Sequence, residues 1–162
     1  YVCNVDEESI NSGNLLTKLV SEMANKNGSE CITISADIES EIALIKDLNE
    51  KESLIKELGL KTSGLHKVVK SGYKLLNLIT FFTTGPKETR AWTIPSGTNA
   101  AEAAGRIHTD FERGFIRAET ITYSDFIECN GETNAKKYGK VRSEGKYYQV
   151  QDGDIMNFRF NV

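Results

Sequence analysis

The opening 35 residues contain two short apolar runs separated by one amphipathic stretch. Residues 1–5 and 31–35 are largely apolar, the composition of buried strands. Between them, leucine, valine and methionine recur at helical spacing over residues 15–23, and Gly28 stands where a helix C-terminal cap belongs. A strand, a helix and a second strand in this order predict a βαβ unit, and a βαβ unit requires a parallel sheet.

Two further helical segments complete the first half of the chain. Residues 38–58 are acidic and predict one helix. Residues 63–76 predict another, with Ser63 as its N-cap, because a serine hydroxyl can accept a hydrogen bond from a free amide of the first turn. We expect the apolar positions of this last helix to face inward: Leu65, Val68, Val69, Leu75 and Leu76.

The sequence changes period near residue 77. Residues 78–83 and 89–94 flank a Gly-Pro turn and predict a β-hairpin. The following segments predict a helix over 100–107 capped by Thr98 or Asn99, a strand over 115–123, a short helix over 132–138, and strands over 147–150 and 155–160 joined by a turn. A hairpin, a helix and further strands are the pattern of a small α+β domain of the β-grasp, ubiquitin-like type.

These two patterns set the predicted fold class, which is α/β followed by α+β. We predict two domains: residues 1–76 are the distal part of a parallel-sheet domain, and residues 77–162 are a β-grasp domain. The chain opens at Tyr1 directly in a strand-like segment, and we therefore expect it to belong to a longer protein.

Composition limits the classes of function. The 162 residues carry 20 lysines and arginines against 23 aspartates and glutamates, a net charge of −3, which argues against a protein that coats DNA. The longest apolar stretch, residues 75–82, is far shorter than a membrane span. Three widely spaced cysteines without a CxxC pair indicate reduced thiols. We expect a cytoplasmic globular protein with neither DNA nor a membrane as partner.

Polar residues follow both predicted parallel strands. Asn4, Asp6 and Glu7 come at the end of the first strand, and Ser35 comes at the end of the second. Ligands of open α/β sheets bind beyond the carboxyl ends of the strands, and an asparagine carboxamide can pair with adenine through one donor and one acceptor. The alternative is that Asn4 and Asp6 are turn residues and that Ser35 caps the next helix.

The histidines offer little support for catalysis or for a metal. His108, Asp110 and Glu112 form an H-x-D-x-E pattern that lacks a third firm ligand at a suitable spacing, so a surface turn is the better interpretation. Neither histidine accompanies a nucleophile motif, and no cysteine has a flanking histidine. We predict neither a catalytic residue nor a metal ligand in this chain.

A basic run near the C-terminus fits an RNA-facing surface. Cations neutralise phosphates, and aromatic rings stack on unpaired bases. The alternative is a solvated face whose charges are balanced by Glu132, Glu144 and Asp152. The candidate RNA- or ribosome-binding residues are Lys136, Lys137, Lys140, Arg142, Lys146 and Tyr147, interleaved with Tyr138 and Tyr148.

Several of these segments resemble one known family. NVDE at residues 4–7 and SADIE at residues 35–39 resemble the fourth and fifth nucleotide motifs of the YchF subfamily of Obg-like P-loop proteins. Downstream, FFTTGPKETRAWTIPSGTNAAEAAGRIHTDFERGFIRAE and QDGDIMNFRFNV resemble the C-terminal TGS domain of that family. The resemblance implies that residues 1–76 complete a P-loop nucleotide domain and that residues 77–162 are a TGS domain of β-grasp fold.

The resemblance also implies roles for individual residues. Asn4, Val5 and Glu7 would surround the nucleotide base, and Ser35 and Ala36 would close over it. Relatives with guanine specificity carry Asn-Lys-x-Asp, whose aspartate binds the N1 and N2 hydrogens of guanine. Here Val5 replaces the lysine and Glu7 the aspartate, a departure that goes with a preference for ATP over GTP.

Two functions from different classes follow. The resemblance implies a ribosome-associated ATPase that hydrolyses ATP with Mg²⁺ and contacts the ribosome or ribosomal RNA. The sequence contains no GxxxxGK[ST] motif, so the phosphate and metal ligands would lie outside this chain and the chain alone would be inactive. The alternative is a non-enzymatic adaptor module that binds RNA or the ribosome.

Overall fold

The computed structural model describes residues 1–161, which fold as two compact units. The first unit spans Tyr1–Leu75, and the second begins at Leu76. Within the described residues, no helix is both long enough and apolar enough to cross a membrane.

A parallel pair of strands organises the first unit. Strand β1 (Val2–Asn4) pairs in parallel with strand β2 (Ile32–Ile34), and helix α1 (Leu15–Lys26) connects them, as the strand–helix–strand pattern predicts. A capping box at Asn14 and Thr17 begins α1. The helix ends at Asn27, and Gly28 follows with a positive φ of 66°, the left-handed conformation that glycine adopts most easily.

The acidic segment after β2 forms two helices rather than the single helix expected over residues 38–58. They are α2 (Ala36–Leu44) and α3 (Leu48–Glu57). The chain is extended at Ile45, and the carboxylate of Asp47 then accepts hydrogen bonds from the amides of Asn49 and Glu50. An aspartate in this position is a strong helix start, and it interrupts a pattern that otherwise reads as continuous.

Helix α4 (Gly64–Leu75) begins as expected. The hydroxyl of Ser63 accepts from the amide of His66, and the carboxylate of Glu39 accepts from the amides of Gly64 and Leu65. The predicted inward face is wrong, however, because Leu65 is 65% exposed and Leu75 is 85% exposed. Val69 and Leu76 are also exposed. The buried hydrophobic cluster of this unit consists instead of Ile38, Ile42 and Leu60, packed against Ile10, Leu54, Ile55 and Leu58.

The second unit is built on a five-stranded mixed sheet. Its elements in chain order are β3 (Leu78–Thr84), β4 (Thr89–Pro95), α5 (Ala100–Ile107), α6 (Thr109–Arg113), β5 (Phe115–Ile121), α7 (Tyr123–Glu128), α8 (Glu132–Lys137), β6 (Arg142–Glu144) and β7 (Ile155–Phe160). The strand order is β4-β3-β7-β5-β6. Strands β3 and β7 are parallel, and every other neighbouring pair is antiparallel.

The sheet carries apolar residues on both faces. One cluster places Phe81, Ile94, Met156 and Phe158 against Ala100, Ala103 and Ala104 of α5. The other places Ile121 and Ile155 against Ala135 of α8, with Phe82, Phe126 and Val141 around them. Short alanine side chains let a helix approach the sheet closely, so each face is covered by a helix whose contact surface is small.

Three predictions for this unit needed correction. The strand over residues 115–123 ends at Ile121, because the hydroxyl of Thr122 accepts from the amide of Asp125 and begins α7. Residues 147–150 are not a strand, although Gln149 forms an isolated bridge with Asn99. The short elements α6, α7 and β6 were not predicted. The sequence did predict the hairpin, α5 with Asn99 as its cap, α8 and β7.

The turn before β7 is held by a buried carboxylate. Asp154 is 2% exposed and accepts hydrogen bonds from the Tyr148 hydroxyl at 2.8 Å and from the amide of Gln151 at 2.9 Å. Arg142 lies 3.5 Å from the other carboxylate oxygen. Burial, together with the hydrogen bond to Asp154, raises the pKa of Tyr148 to about 12.

We expect this raised pKa to make stability fall at high pH. The folded chain keeps the Tyr148 proton up to about pH 12, whereas the unfolded chain loses it near the ordinary value of about 10. The contribution of the protonated Tyr148 to stability is therefore complete below pH ~10 and is lost as the pH rises toward 12. Denaturant unfolding from pH 8 to 12 measures the free energy of unfolding, and Tyr148→Phe should reduce the slope with which this free energy falls as the pH rises.

The matched control for this prediction is Tyr147→Phe. Tyr147 is 83% exposed, so its substitution should leave the slope unchanged. At neutral pH, Tyr148→Phe should cost on the order of 1–3 kcal/mol, because it removes a donor from a buried carboxylate. An identical pH profile for Tyr148→Phe and the wild type would contradict the assignment.

Candidate functional site

The parallel pairing brings the polar ends of β1 and β2 together. The amide of Val5 donates to the Ile34 carbonyl at 2.9 Å and extends the pairing by one residue. The side-chain oxygen Oδ1 of Asn4 accepts from the amide of Ala36, also at 2.9 Å. The asparagine therefore takes one of the free amides at the start of α2, and it links the carboxyl ends of the two strands directly.

Ser35 lies between these groups and is almost completely buried. It is 1% exposed, and its hydroxyl has no hydrogen-bond partner within residues 1–161. Ser35 occupies the N-cap position of α2, yet its side chain makes no capping hydrogen bond. The alternative that Ser35 caps the next helix is thus correct for its backbone position and wrong for its side chain. Asn4 instead supplies the acceptor for the amide of Ala36.

The remaining candidates differ in their surroundings. Val5 is buried, whereas Glu7 is exposed and has no side-chain partner in the described part of the chain. Asp6 has a local role, because its carboxylate accepts from the amide of Ser9 at 2.8 Å. Hydrogen bonding to Ser9 holds the pKa of Asp6 below its ordinary value. Asp6 is thus the turn residue of this segment, and Glu7 is the carboxylate that remains open to solvent.

Most cations of the basic run are paired with carboxylates. Lys136 lies 2.6 Å from Glu132 and 3.6 Å from Glu119, and Lys140 lies 2.9 Å from Asp125. Hydrogen bonds to these partners raise the pKa of both lysines. Arg142 contacts Glu144 and Asp154. Two lysines, Lys137 and Lys146, are exposed and have no ion pair in the described chain. Each adjoins an exposed tyrosine, Tyr138 or Tyr147.

Sequence reasoning missed two acidic partners of this run. Glu119 accepts from Arg159 at 3.1 Å and also lies near Arg117 and Lys136, and these cations hold the pKa of Glu119 low, Arg159 most strongly. Asp125, which pairs with Lys140, belongs to α7, a helix that was not predicted. Neither Glu119 nor Asp125 is close in sequence to the lysine of the run that it pairs with. Only the pairing of β5 with β7 places Arg159 beside Glu119.

The H-x-D-x-E pattern forms a helix start. Nδ1 of His108 accepts from the amide of Asp110 at 3.2 Å and caps the five-residue helix α6. Among residues 1–161, no group of three His, Cys, Asp or Glu side chains is arranged to hold a metal ion.

The fold is similar to parts of two solved proteins. A GTP-binding protein from Pyrococcus horikoshii OT3 has a TM-score of 0.62 and 19% identity over 95% of this chain and 44% of that chain, which is a likeness of fold. The Schizosaccharomyces pombe YchF GTPase is closer, with a TM-score of 0.84 and 33% identity over 98% of this chain and 42% of that chain.

Residues 78–161 match the family YchF-GTPase_C, described as a protein of unknown function (DUF933), and the chain belongs to this family. The ribosome-binding ATPase YchF of Escherichia coli O157:H7 is 52% identical over the whole chain, and that of Bacillus subtilis strain 168 is 50% identical. The chain spans 44% of the length of each of these two relatives. The family resemblance inferred from the sequence is therefore confirmed.

The geometry predicts opposite responses at Asn4 and Ser35 in the absence of any ligand. Asn4→Ala removes the acceptor of the Ala36 amide and should lower the free energy of unfolding by about 1 kcal/mol. Ser35→Ala removes a buried hydroxyl that has no partner and should leave stability unchanged or raise it. Urea unfolding of the chain measures both.

Glu7→Gln is the matched control for this pair, because the exposed Glu7 side chain should tolerate it within about 0.5 kcal/mol. A loss of stability in Ser35→Ala as large as that in Asn4→Ala would show that the Ser35 hydroxyl is bonded in the folded chain.

Proposed function

We propose that this chain is part of a ribosome-associated ATPase and that its first unit supplies the pocket for the nucleotide base. The single observation that carries the proposal is the joined end of β1 and β2, where Asn4 Oδ1 binds the Ala36 amide beside the buried, unpartnered hydroxyl of Ser35. A ligand at this edge of the sheet would find the exposed side chain of Asn4 next to the start of α2. The base-binding residues we propose are Asn4, Val5, Glu7, Ser35 and Ala36.

Two features support adenine rather than guanine as the base, and both are departures from Asn-Lys-x-Asp, which shares the asparagine that stands here as Asn4. Val5 is apolar and buried, so no lysine chain packs along the base at that position. Glu7 is one methylene longer than the aspartate that binds N1 and N2 of guanine in Asn-Lys-x-Asp relatives, and its carboxylate is exposed.

Hydrolysis would require groups from the part of the relatives that this chain does not span. A P-loop cradles phosphates with backbone amides, and its serine or threonine binds Mg²⁺. This sequence has no GxxxxGK[ST] motif, and the chain covers 44% of the length of its relatives. We therefore propose that ATP and Mg²⁺ are bound in the full-length protein and that the chain alone is inactive.

The second unit is proposed to be a TGS domain of β-grasp fold. The strand order β4-β3-β7-β5-β6, the parallel central pair and helix α5 packed on one face support this assignment. The domain boundaries proposed are 1–76 and 77–162, and the division of the structure into compact units between Leu75 and Leu76 supports them. The proposed partner is the ribosome or ribosomal RNA, and the proposed location is the cytoplasm.

Nucleotide specificity tests the base site. In the full-length protein, we expect the double substitution Val5→Lys with Glu7→Asp to lower ATP affinity and raise GTP affinity, because it restores the guanine-binding carboxylate. A discrimination change of about tenfold or more corresponds to one good base contact of 1–3 kcal/mol. Titration of each variant with fluorescent ATP and GTP analogues measures it.

Two controls accompany this experiment. Asp37→Asn changes an exposed charge next to the proposed pocket and should leave the ATP-to-GTP ratio unchanged. The 162-residue chain alone should release no phosphate from ATP. An unaltered ratio in the double variant would contradict base reading by these residues.

A second candidate function, a non-enzymatic RNA- or ribosome-binding module, is favoured by one observation. Lys137 and Lys146 are exposed and have no ion pair in the described chain, and each adjoins an exposed tyrosine. Such a lysine can neutralise a phosphate, and the neighbouring ring can stack on an unpaired base. The other proposed contacts, Lys136, Lys140 and Arg142, would first have to leave their carboxylate partners.

Charge reversal tests the two lysines that have no ion pair. Lys137→Glu with Lys146→Glu should weaken cosedimentation with ribosomes and reduce the slope of log affinity against log salt by about two, one for each lost phosphate contact. Lys87→Glu, at an exposed turn, is the control with the same type of charge change. Equal binding by the wild type and the double variant would assign this surface to solvation alone.

A further inference from the structure

Two cysteines that are 28 positions apart in sequence meet in the first unit. The Sγ atoms of Cys3 and Cys31 are 3.7 Å apart, which is van der Waals contact between thiols. Both side chains are half-buried, and both are free thiols. The third cysteine, Cys129, lies in the second unit.

The strand register explains why the thiols meet. Cys3 pairs with Thr33 in the parallel ladder, and Cys31 is two residues before Thr33, so both cysteine side chains lie on the same face of the pair. Backbone hydrogen bonds hold the two strands on either side of the contact, from Ile32 to Tyr1 and from Val5 to Ile34, each at 2.9 Å. The thiols are therefore neighbours because of the fold and not through a chance contact of mobile side chains.

A groove gives solvent access to one of these thiols. Cys31 lines a depression of about 460 Å³ together with Ile32, Thr33 and three lysines of α4, Lys67, Lys70 and Lys74. Lys74 pairs with Glu30, whereas Lys67 and Lys70 have no ion pair within residues 1–161. Burial, followed by the contact with Cys3, raises the pKa of Cys31, so this thiol stays uncharged at neutral pH.

We propose that Cys3 and Cys31 form a reversible dithiol–disulfide pair and that the oxidant is an anionic low-molecular-weight disulfide which enters along the lysine-lined groove. The contact distance places the second thiol within reach of a mixed disulfide formed on the first. The two free lysines attract the carboxylates of such a disulfide. The proposal does not depend on the nucleotide function, because it concerns only the thiols and the groove.

The reaction is a double exchange. The thiolate of Cys31 attacks one sulfur of the incoming disulfide, a mixed disulfide forms, and one small thiol leaves with a proton from solvent. The thiolate of Cys3 then attacks the Cys31 sulfur and displaces the second small thiol. The two cysteines together lose two protons and two electrons, and the small disulfide takes up both and is reduced to two thiols. An excess of small thiol reverses both steps.

Glutathione disulfide tests the pairing on the 162-residue chain. After incubation, free thiols are alkylated with N-ethylmaleimide, and the intact mass and proteolytic peptides are measured. We expect one monomeric product that has lost two hydrogens, with residues 3 and 31 in one bridged peptide and Cys129 alkylated. Dithiothreitol should restore full alkylation of all three cysteines.

Single-cysteine variants identify the intermediate. Cys3→Ser should stop with one glutathione on Cys31, and Cys31→Ser should take up glutathione more slowly because Cys3 does not line the groove. Cys129→Ser should still give the bridged product. Glutathione adducts on both Cys3 and Cys31 of the wild type, disulfide-linked dimers, or thiols that all remain alkylated would each overturn the pairing.

The groove is tested separately with two oxidants. Lys67→Gln with Lys70→Gln should slow bridging by glutathione disulfide by about threefold or more at low salt, and it should leave bridging by the uncharged hydroxyethyl disulfide unchanged. Equal rates with both oxidants would overturn the anionic class of the oxidant. A circular dichroism spectrum identical to that of the wild type establishes that each variant is folded.

Discussion

The first unit depends on the parallel register of β1 and β2. That register sets Asn4 opposite Ile34, and the Asn4 side chain then reaches the first amide of α2. The same register puts Cys3 and Cys31 on one face with their sulfurs in contact. A slip by one residue would send each of these side chains to the opposite face of the pair, so the candidate base site and the thiol pair have a common structural origin.

The sequence predicted the elements whose signals are local and could not predict what those elements meet. The two apolar runs, the capped helix α1 and the hairpin of the second unit each have a pattern confined to a few neighbouring residues. The break between α2 and α3 was missed, since Asp47 is at once an acidic residue in an acidic helix and an effective helix start. Periodicity groups Leu65 with Val69 on one face of α4, but it does not determine whether a partner covers that face, and both are exposed.

Charge patterns are limited in the same way. Five basic residues within eleven positions read as one positive surface. In the folded second unit, Glu119 and Asp125 come from other elements and neutralise part of that charge. Arg159 and Glu119 are 40 positions apart in sequence, so no local sequence pattern predicts the strand pairing that brings them together. Sequence patterns therefore located the basic run correctly in the chain, whereas only the fold separates its paired cations from Lys137 and Lys146.

The buried hydroxyls show how much one unusual group can indicate. Ser35 and Thr120 both carry an oxygen that is buried and has no partner within residues 1–161. Such a group costs on the order of 1–3 kcal/mol relative to one that is hydrogen-bonded. Thr120 lies near the end of β5, between β6 and β7, where it is paired with Arg142 and Met156 and a β-branched residue packs well. Ser35 lies where a parallel strand gives way to a helix and where Asn4 already holds the adjoining amide, which is the edge at which ligands of open α/β sheets bind. The location of the unpartnered oxygen, rather than its mere presence, is the reason that we propose Ser35 as part of the base site.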